Sequence, residues 1–175
     1  MTRFVVHSTA VLQLASAGLE VSGAHKLLAP TLLRSQTLSL LHEAVQHGDI
    51  SADVAHDRLT RISRMPIRVL GDAVLRRRAW DLADRLGWAS TYDAEYIALT
   101  QLQADAFVTL DLELARRVEG IVSTASIDAL VAGRAPELIE EARLPDPPAS
   151  AGYRLGTGFT AGGVERRIIE GRIRT

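Results

Sequence analysis

Tyr-Asp-Ala-Glu-Tyr-Ile-Ala-Leu-Thr-Gln-Leu-Gln-Ala-Asp-Ala-Phe-Val-Thr-Leu-Asp, residues 92–111, is the segment from which we infer the fold class. It predicts a helix over 92–103, capped by Thr91 or its neighbour, and then a strand over 106–110. A short apolar strand that follows a helix of this length is typical of β-α-β units, in which the strands run parallel. This stretch therefore predicts an α/β fold.

The same alternation continues on both sides of residues 92–111. We expect further strands at residues 3–7, 25–29, 65–70 and 120–124. We expect helices at residues 9–17, 30–47, 72–87, 111–118 and 126–131, and another that begins at residue 51. Pro30 suits the first turn of a helix, Ser51 is a predicted N-cap, and Gly18 and Gly87 are predicted helix ends. The chain thus predicts a mainly parallel central sheet, with its functional site outside the carboxyl ends of the strands.

Composition limits the class of protein. The chain has 175 residues, of which 47% are hydrophobic, enough for one domain with a sizeable core. It has no cysteine, which excludes disulfides and thiolate metal sites. No apolar run approaches the roughly 20 residues that span a bilayer, and the N-terminus lacks the features of a secretory signal. We therefore expect no membrane partner and a cytoplasmic location.

The distribution of charge, and not the net charge, bears on whether the chain binds nucleic acid. The formal net charge is −1, so no overall field attracts nucleic acid. Arg58, Arg61 and Arg64 recur at helical spacing and predict one basic stripe, which could follow an RNA backbone. The interleaved Asp53 and Asp57 allow the alternative that the stripe is ordinary paired surface charge.

The character of the chain changes after residue 131. We predict a domain over 1–131 and a C-terminal extension over 132–175. The extension contains a Pro- and Gly-rich linker at 145–163 and a short basic arm at 164–174. The arm is either a loosely ordered tail or a segment that packs on a partner subunit through apolar side chains such as Ile168 and Ile169.

Two aspartates stand at positions suited to chemistry. Asp93 and Asp111 lie at predicted helix starts near strand ends, where the site of a parallel sheet is expected. Magnesium prefers carboxylate and water ligands, and two-metal cleavage of a phosphodiester needs several carboxylates that converge from different segments. Asp93 and Asp111 are therefore the predicted metal ligands. Thr109 is a predicted catalytic residue that could orient water or bind phosphate. The alternatives are that both aspartates serve their helices, through the dipole or as a cap, and that Thr109 is a turn residue.

Four motifs resemble those of a known family. They are Val6-His7-Ser8-Thr9 after the first strand, Gln36 six residues after Pro30, Tyr92-Asp93-Ala94-Glu95-Tyr96, and Val108-Thr109-Leu110-Asp111. Residues 3–131 resemble a PIN domain, and specifically the VapC toxins of bacterial toxin–antitoxin pairs. The resemblance implies a three-layer α/β/α fold, Mg- or Mn-dependent cleavage of RNA, a homodimer and an antitoxin protein as partner.

The chain departs from this family at two of the four acidic positions. His7 and Gln36 stand where the resemblance implies an aspartate and a glutamate. Histidine suits Zn, Mn, Ni or Cu better than Mg, so a weak site of His7, Asp93 and Asp111 with Gln36 as a fourth donor is one hypothesis. The hypothesis that we favour makes His7 a remnant whose ring is hydrogen-bonded to Asp93 or Asp111. Tyr92 and Tyr96 are expected to pack in the core.

Two functions follow from these departures. The chain is either a divalent-metal-dependent endoribonuclease toxin with a weakened site, or a pseudo-enzyme that binds RNA or protein and needs no metal. Because metal affinity depends on the number and charge of the ligands, the two substitutions favour impaired or lost nuclease activity.

Overall fold

A computed structural model describes residues 1–131. The predictions for residues 132–175, including the linker and the basic arm, concern residues outside this part of the chain. The strands within it are β1 (Thr2–Val6), β2 (His25–Pro30), β3 (Ile67–Leu70) and β4 (Ala106–Val108). The helices are α1 (Ser8–Ala17), α2 (Leu33–Gln46), α3 (Ala52–Arg64), α4 (Ala73–Leu86), α5 (Tyr92–Gln103) and α6 (Leu112–Arg117), followed by a 3-10 turn at Ile127–Leu130.

Local sequence explains where most helices begin and end. The Ser51 hydroxyl accepts a hydrogen bond from the amide of Val54, and the Asp72 carboxylate accepts one from the amide of Leu75. Each bond satisfies an amide that the first turn of a helix leaves without an intrahelical partner. α1 and α4 end at Gly18 and Gly87, both of which have the positive φ that favours glycine. The predicted cap at Ser51 and the predicted helix ends at Gly18 and Gly87 are confirmed, and Asp72 is a further cap.

The four described strands form one sheet in the order β3-β2-β1-β4, and every pairing is parallel. Helices α1, α2 and α3 contact one another, and α4 packs against α5, which also contacts the sheet. The result is a three-layer α/β/α fold, as predicted. Apolar side chains from the sheet and both helical groups form one core, with Val5, Val6 and Phe107 fully buried at its centre.

Two predicted elements are wrong in detail. Pro30 ends β2, where it lies opposite Leu70, and does not open α2. A strand end tolerates proline because the Leu70 carbonyl takes its hydrogen bond from the next amide, that of Thr31. The strand predicted at 120–124 is reduced to one bridge between Phe107 and Thr124. Turn hydrogen bonds after α6, including that from the Ile121 amide to the Val118 carbonyl, leave too little extended chain for a strand.

Among the helices within residues 1–131, none is long and apolar enough to cross a lipid bilayer.

Candidate functional site

The candidate site lies at the carboxyl edge of the sheet, between β1 and β4. The chain leaves β1 toward β2 on one side, whereas β4 lies on the other side of β1. Such a reversal opens a crevice at the carboxyl ends of the strands, where α/β proteins bind ligands. His7 follows β1 and Thr109 follows β4, and the amide of His7 donates to the carbonyl of Val108 at 2.9 Å. The sheet thus brings two of the predicted site residues together.

His7 is held by two hydroxyl groups. Its Nδ1 lies 3.0 Å from Thr9 Oγ1 and 3.3 Å from Thr109 Oγ1, and the two hydroxyls lie 3.3 Å apart. Thr9 Oγ1 also accepts from the amide of Leu110, and Thr109 Oγ1 accepts from that of Asp111. The prediction that the ring bonds to Asp93 or Asp111 is therefore wrong. The hydrogen bonds instead join the loop after β4 to the start of α1.

Burial keeps the His7 ring neutral. The side chain is 6% exposed, and its ring packs edge-on against Tyr96 with 4.8 Å between ring centroids. Burial lowers the pKa of His7 to about 4, against the opposing effect of the nearby Asp111 charge. At neutral pH the position therefore carries no charge, whereas the family resemblance implies a carboxylate there.

The side-chain oxygen of Gln36 accepts a hydrogen bond from Tyr96. The Tyr96 hydroxyl donates to Gln36 Oε1 at 2.6 Å, so the amide oxygen has a partner inside the protein. Tyr96 is fully buried, and this burial, reinforced by the charges of Asp93 and Glu95, raises its pKa. The phenol thus stays protonated as a donor. The prediction of core packing is confirmed for Tyr96 and wrong for Tyr92, which is 51% exposed.

Asp93 and Asp111 come close enough to repel each other. Burial raises the pKa of Asp93, Arg117 opposes this rise, and the charge on Asp111 adds to it. Asp93 lies in the first turn of α5, as predicted. Asp111 is the N-cap of α6, where its Oδ1 accepts from the amide of Leu114 at 2.9 Å. The capping alternative for Asp111 is therefore confirmed.

Arg117 is the site residue that sequence reasoning missed. Its Nη1 lies 3.6 Å from Asp93 Oδ2, and its guanidinium carbon lies 4.3 Å from the centre of the Trp88 ring. An arginine in the last turn of a helix is ordinarily explained by the helix dipole, so nothing in the local sequence distinguishes it. Only the tertiary contact between the last residue of α6 and the first turn of α5 shows that it faces Asp93.

The residues of the cleft do not fit a divalent magnesium or manganese site. Within residues 1–131, no three histidine, aspartate or glutamate side chains form a group that could hold a metal ion. Hard cations need several oxygen ligands, and here one carboxylate faces an arginine while the other caps a helix.

The predicted basic stripe lies away from the cleft. Arg61 donates to the carbonyl of Ala15 at 3.3 Å and pairs with Asp57 at 2.9 Å. Ala15 is near the carboxyl end of α1, about 12 Å along the helix axis from His7 at a rise of roughly 1.5 Å per residue. The structure therefore does not bring Arg61 into the cleft. A role in RNA binding for Arg58, Arg61 and Arg64 stays a prediction.

Comparisons with known proteins show the fold. No protein-family model and no curated protein matches the chain. Among solved structures, the chain is similar to the crystal structure of PAE2754 from Pyrobaculum aerophilum, with a TM-score of 0.55 and 20% sequence identity. The match covers 73% of this chain and 92% of that one. At this identity the similarity supports the three-layer α/β/α architecture alone.

Proposed function

We propose that this chain is a VapC-like PIN-domain protein whose ribonuclease site has lost its chemistry, and that it acts as an RNA- or protein-binding module. One observation carries the proposal: each of the four positions that resemble the acidic quartet is engaged by a group within the protein. His7 contacts Thr9 and Thr109, and Gln36 accepts from Tyr96. Asp93 faces Arg117, and Asp111 caps α6.

The charges support the same conclusion. A site for divalent cations needs several negative groups that converge on one point. Here His7 is neutral, Gln36 is uncharged, and Asp93 already has a cationic neighbour in Arg117. A metal ion would have to displace these contacts to recruit its ligands. The cleft is thus better suited to holding a partner than to activating water.

The surface beside the cleft favours a protein over RNA as that partner. Tyr92, Leu110 and Leu112 are 51%, 41% and 71% exposed, and each is next in sequence to Asp93 or Asp111. Exposed apolar and aromatic side chains are typical of protein–protein interfaces. The surface with which a protein binds RNA is instead rich in lysine and arginine. The homodimer and the antitoxin that the family resemblance implies are both protein partners of this kind.

An active endoribonuclease toxin is the competing proposal. It is favoured by the closeness of Asp93 and Asp111, whose charges influence each other. Such a pair could hold one Mg or Mn ion, with water as the remaining ligands.

A cleavage assay separates the two functions. Purified protein at micromolar concentration is incubated with end-labelled RNA and either Mg²⁺ or Mn²⁺, and products are followed over hours. We expect no cleavage above that of an Asp93→Asn variant. Cleavage by the native chain that disappears in Asp93→Asn would falsify the proposal and support the active toxin.

Binding is measured separately from cleavage. Light scattering gives the mass in solution, and fluorescence anisotropy with a labelled single-stranded RNA gives RNA affinity. We expect a mass of twice the monomer. If RNA binds tightly and Arg58→Gln, Arg61→Gln and Arg64→Gln together weaken it, RNA and not protein is the partner.

A further inference from the structure

Arg117 occupies a position between charged and aromatic groups of the cleft. Its guanidinium faces Asp93 on α5 and lies over the ring of Trp88, in the segment that precedes α5. The Arg117 and Asp93 side chains are 39% and 35% exposed, so the pair lies at the mouth of the cleft and not in the core. The Trp88 ring gives the guanidinium a second contact that helps to hold it in place, since a cation is attracted to the face of an indole.

The two ends of the short helix α6 place opposite charges near Asp93. Asp111 caps its amino end, and Arg117 is its last residue. Asp111 adds negative charge near Asp93, and Arg117 offsets it. Asp93 is partly buried, and the charge of Asp111 adds to the negative potential around it. A nearby cation stabilises such a carboxylate, and a bound metal ion is often the largest local charge in a site of this kind. In this chain an arginine on the same polypeptide provides the positive charge.

We propose that Arg117 is a fixed counter-ion that takes the cation position of this cleft and keeps divalent metal away from Asp93 and Asp111. The inference rests on the proposed function, because it gives the reason why the remaining carboxylates do not bind metal. A divalent ion beside Asp93 would lie close to the guanidinium, and the repulsion between them opposes binding. Binding would also require Arg117 to leave the Trp88 ring.

The proposal predicts that removal of Arg117 exposes a metal site. Arg117→Gln deletes the positive charge at an exposed position and leaves both carboxylates in place. We expect its apparent affinity for Mn²⁺ to exceed that of the native chain by on the order of tenfold or more, since one like charge near a divalent ion is lost. Arg117→Lys keeps the charge and should bind Mn²⁺ as weakly as the native chain.

A matched control lies next to Arg117 in the sequence. Arg116→Gln makes the same change in net charge on the same helix, also at an exposed residue. It should leave Mn²⁺ affinity unchanged because, of these two arginines, Arg117 is the one whose guanidinium contacts Asp93 and Trp88. A second control, Asp93→Asn combined with Arg117→Gln, should abolish the gained site.

The measurement uses the full chain, calorimetric titration with Mn²⁺ and the fluorescence of Trp88. The chain has two tryptophans, and Trp80 is 63% exposed, so Trp80→Phe leaves Trp88 as the single reporter. In the Arg117→Gln variant, paramagnetic Mn²⁺ should quench Trp88 with the same midpoint as the heat signal. Circular dichroism checks that each variant is folded, and Arg117→Lys tests the proposal through charge if Arg117→Gln does not fold.

The result that overturns the inference differs from the one that overturns the proposed function. Arg117 is not the counter-ion if Arg117→Gln gains no Mn²⁺ affinity. The same conclusion follows if Arg116→Gln or Arg117→Lys gains as much Mn²⁺ affinity as Arg117→Gln. In each of these cases the cleft can still lack nuclease activity. If the native chain binds Mn²⁺ stoichiometrically and cuts RNA, the proposed function itself is wrong.

Discussion

At the scale of single residues, His7 shows how burial changes the chemistry of a position. An imidazole in this place could bind a soft metal, act as a base or carry a positive charge. The ring is instead enclosed by Tyr96, Phe107 and the hydroxyls of Thr9 and Thr109. In that environment the charged form is disfavoured, so His7 acts as a neutral hydrogen-bonding group.

The stability of the protein should depend on pH through His7. Its pKa is lowered from 6.5 to about 4 by burial, so between these values the unfolded chain takes up a proton that the folded chain does not. The His7 contribution is complete above pH 6.5 and is lost as the pH falls toward 4. When the pH is lowered from 7 to 5, the free energy of unfolding of the native chain should therefore fall by about 2 kcal/mol more than that of His7→Asn.

Urea unfolding at the two pH values measures this difference. His56→Asn, a change at an exposed histidine, is the matched control and should follow the native chain. Equal pH dependence of the native chain and His7→Asn would show that His7 titrates normally in the folded state.

At the scale of elements, Asp111, the N-cap of α6, has both a structural and an electrostatic role. The carboxylate satisfies the amide of Leu114 and also faces the cleft charges near Asp93. Leu114 is 2% exposed and belongs to the core, so the start of this short helix is tied to the packing of the domain. The capping bond therefore explains the presence of an aspartate at 111 without any metal.

The two roles of Asp111 can be separated by two substitutions. Asp111→Ala removes the cap and should destabilise the protein by about 1 kcal/mol. Asp111→Asn keeps a good capping side chain but removes the charge, and should cost less than half as much. Thermal unfolding at neutral pH tests this order. Equal destabilisation by both variants would mean that the charge, and not the cap, is what the fold requires.

At the scale of the whole molecule, the order of strands creates the cleft. His7 follows β1, Asp93 lies in the first turn of α5, and Asp111 follows β4. They come together because β4 lies beside β1. The same packing brings Arg117 to Asp93 and Tyr96 to Gln36. The crevice at the carboxyl edge of the sheet is thus lined by side chains that bind one another.

The proposed function can be tested by placing acidic residues at the two positions where the family resemblance implies them. The variant His7→Asp with Gln36→Glu should gain Mn²⁺ binding, and the further change Arg117→Gln should strengthen it. Without metal, the buried carboxylates should lower stability by at least about 2 kcal/mol because their charges repel in a partly buried site. Calorimetry with Mn²⁺, RNA cleavage and thermal unfolding with and without Mn²⁺ give the readouts.

A gain of metal binding and cleavage would show that the fold can support a metal site and that the native side chains at positions 7 and 36 prevent it. No gain in either measurement, from a variant that is still folded, would contradict this view and place the divergence in the backbone of the cleft.

Much of the fold could be predicted because its signals are local. Ser51 and Gly87 act within one helical turn of their own positions, and apolar β-branched residues mark β1. The errors at Pro30 and at 120–124 arose where a tertiary contact decides the outcome. Pro30 is extended because β3 lies beside it, and residues 120–124 fail to form a strand because the turn after α6 uses that part of the chain.

Local signals in the sequence specify the alternation of strands and helices, the ends of most helices, the cap at Asp111, and the placement of Asp93 and Asp111 near strand ends. The long-range contacts of the cleft depend on the tertiary structure. His7 contacts Thr109, which is 102 residues away, as well as its neighbour Thr9, and Gln36 accepts from Tyr96, which is 60 residues away. Helix caps and periodicity act over a few residues, whereas such distant pairs depend on strand order. For the same reason, only the tertiary structure shows that Arg117, at the end of a short helix in the sequence, lies beside Asp93.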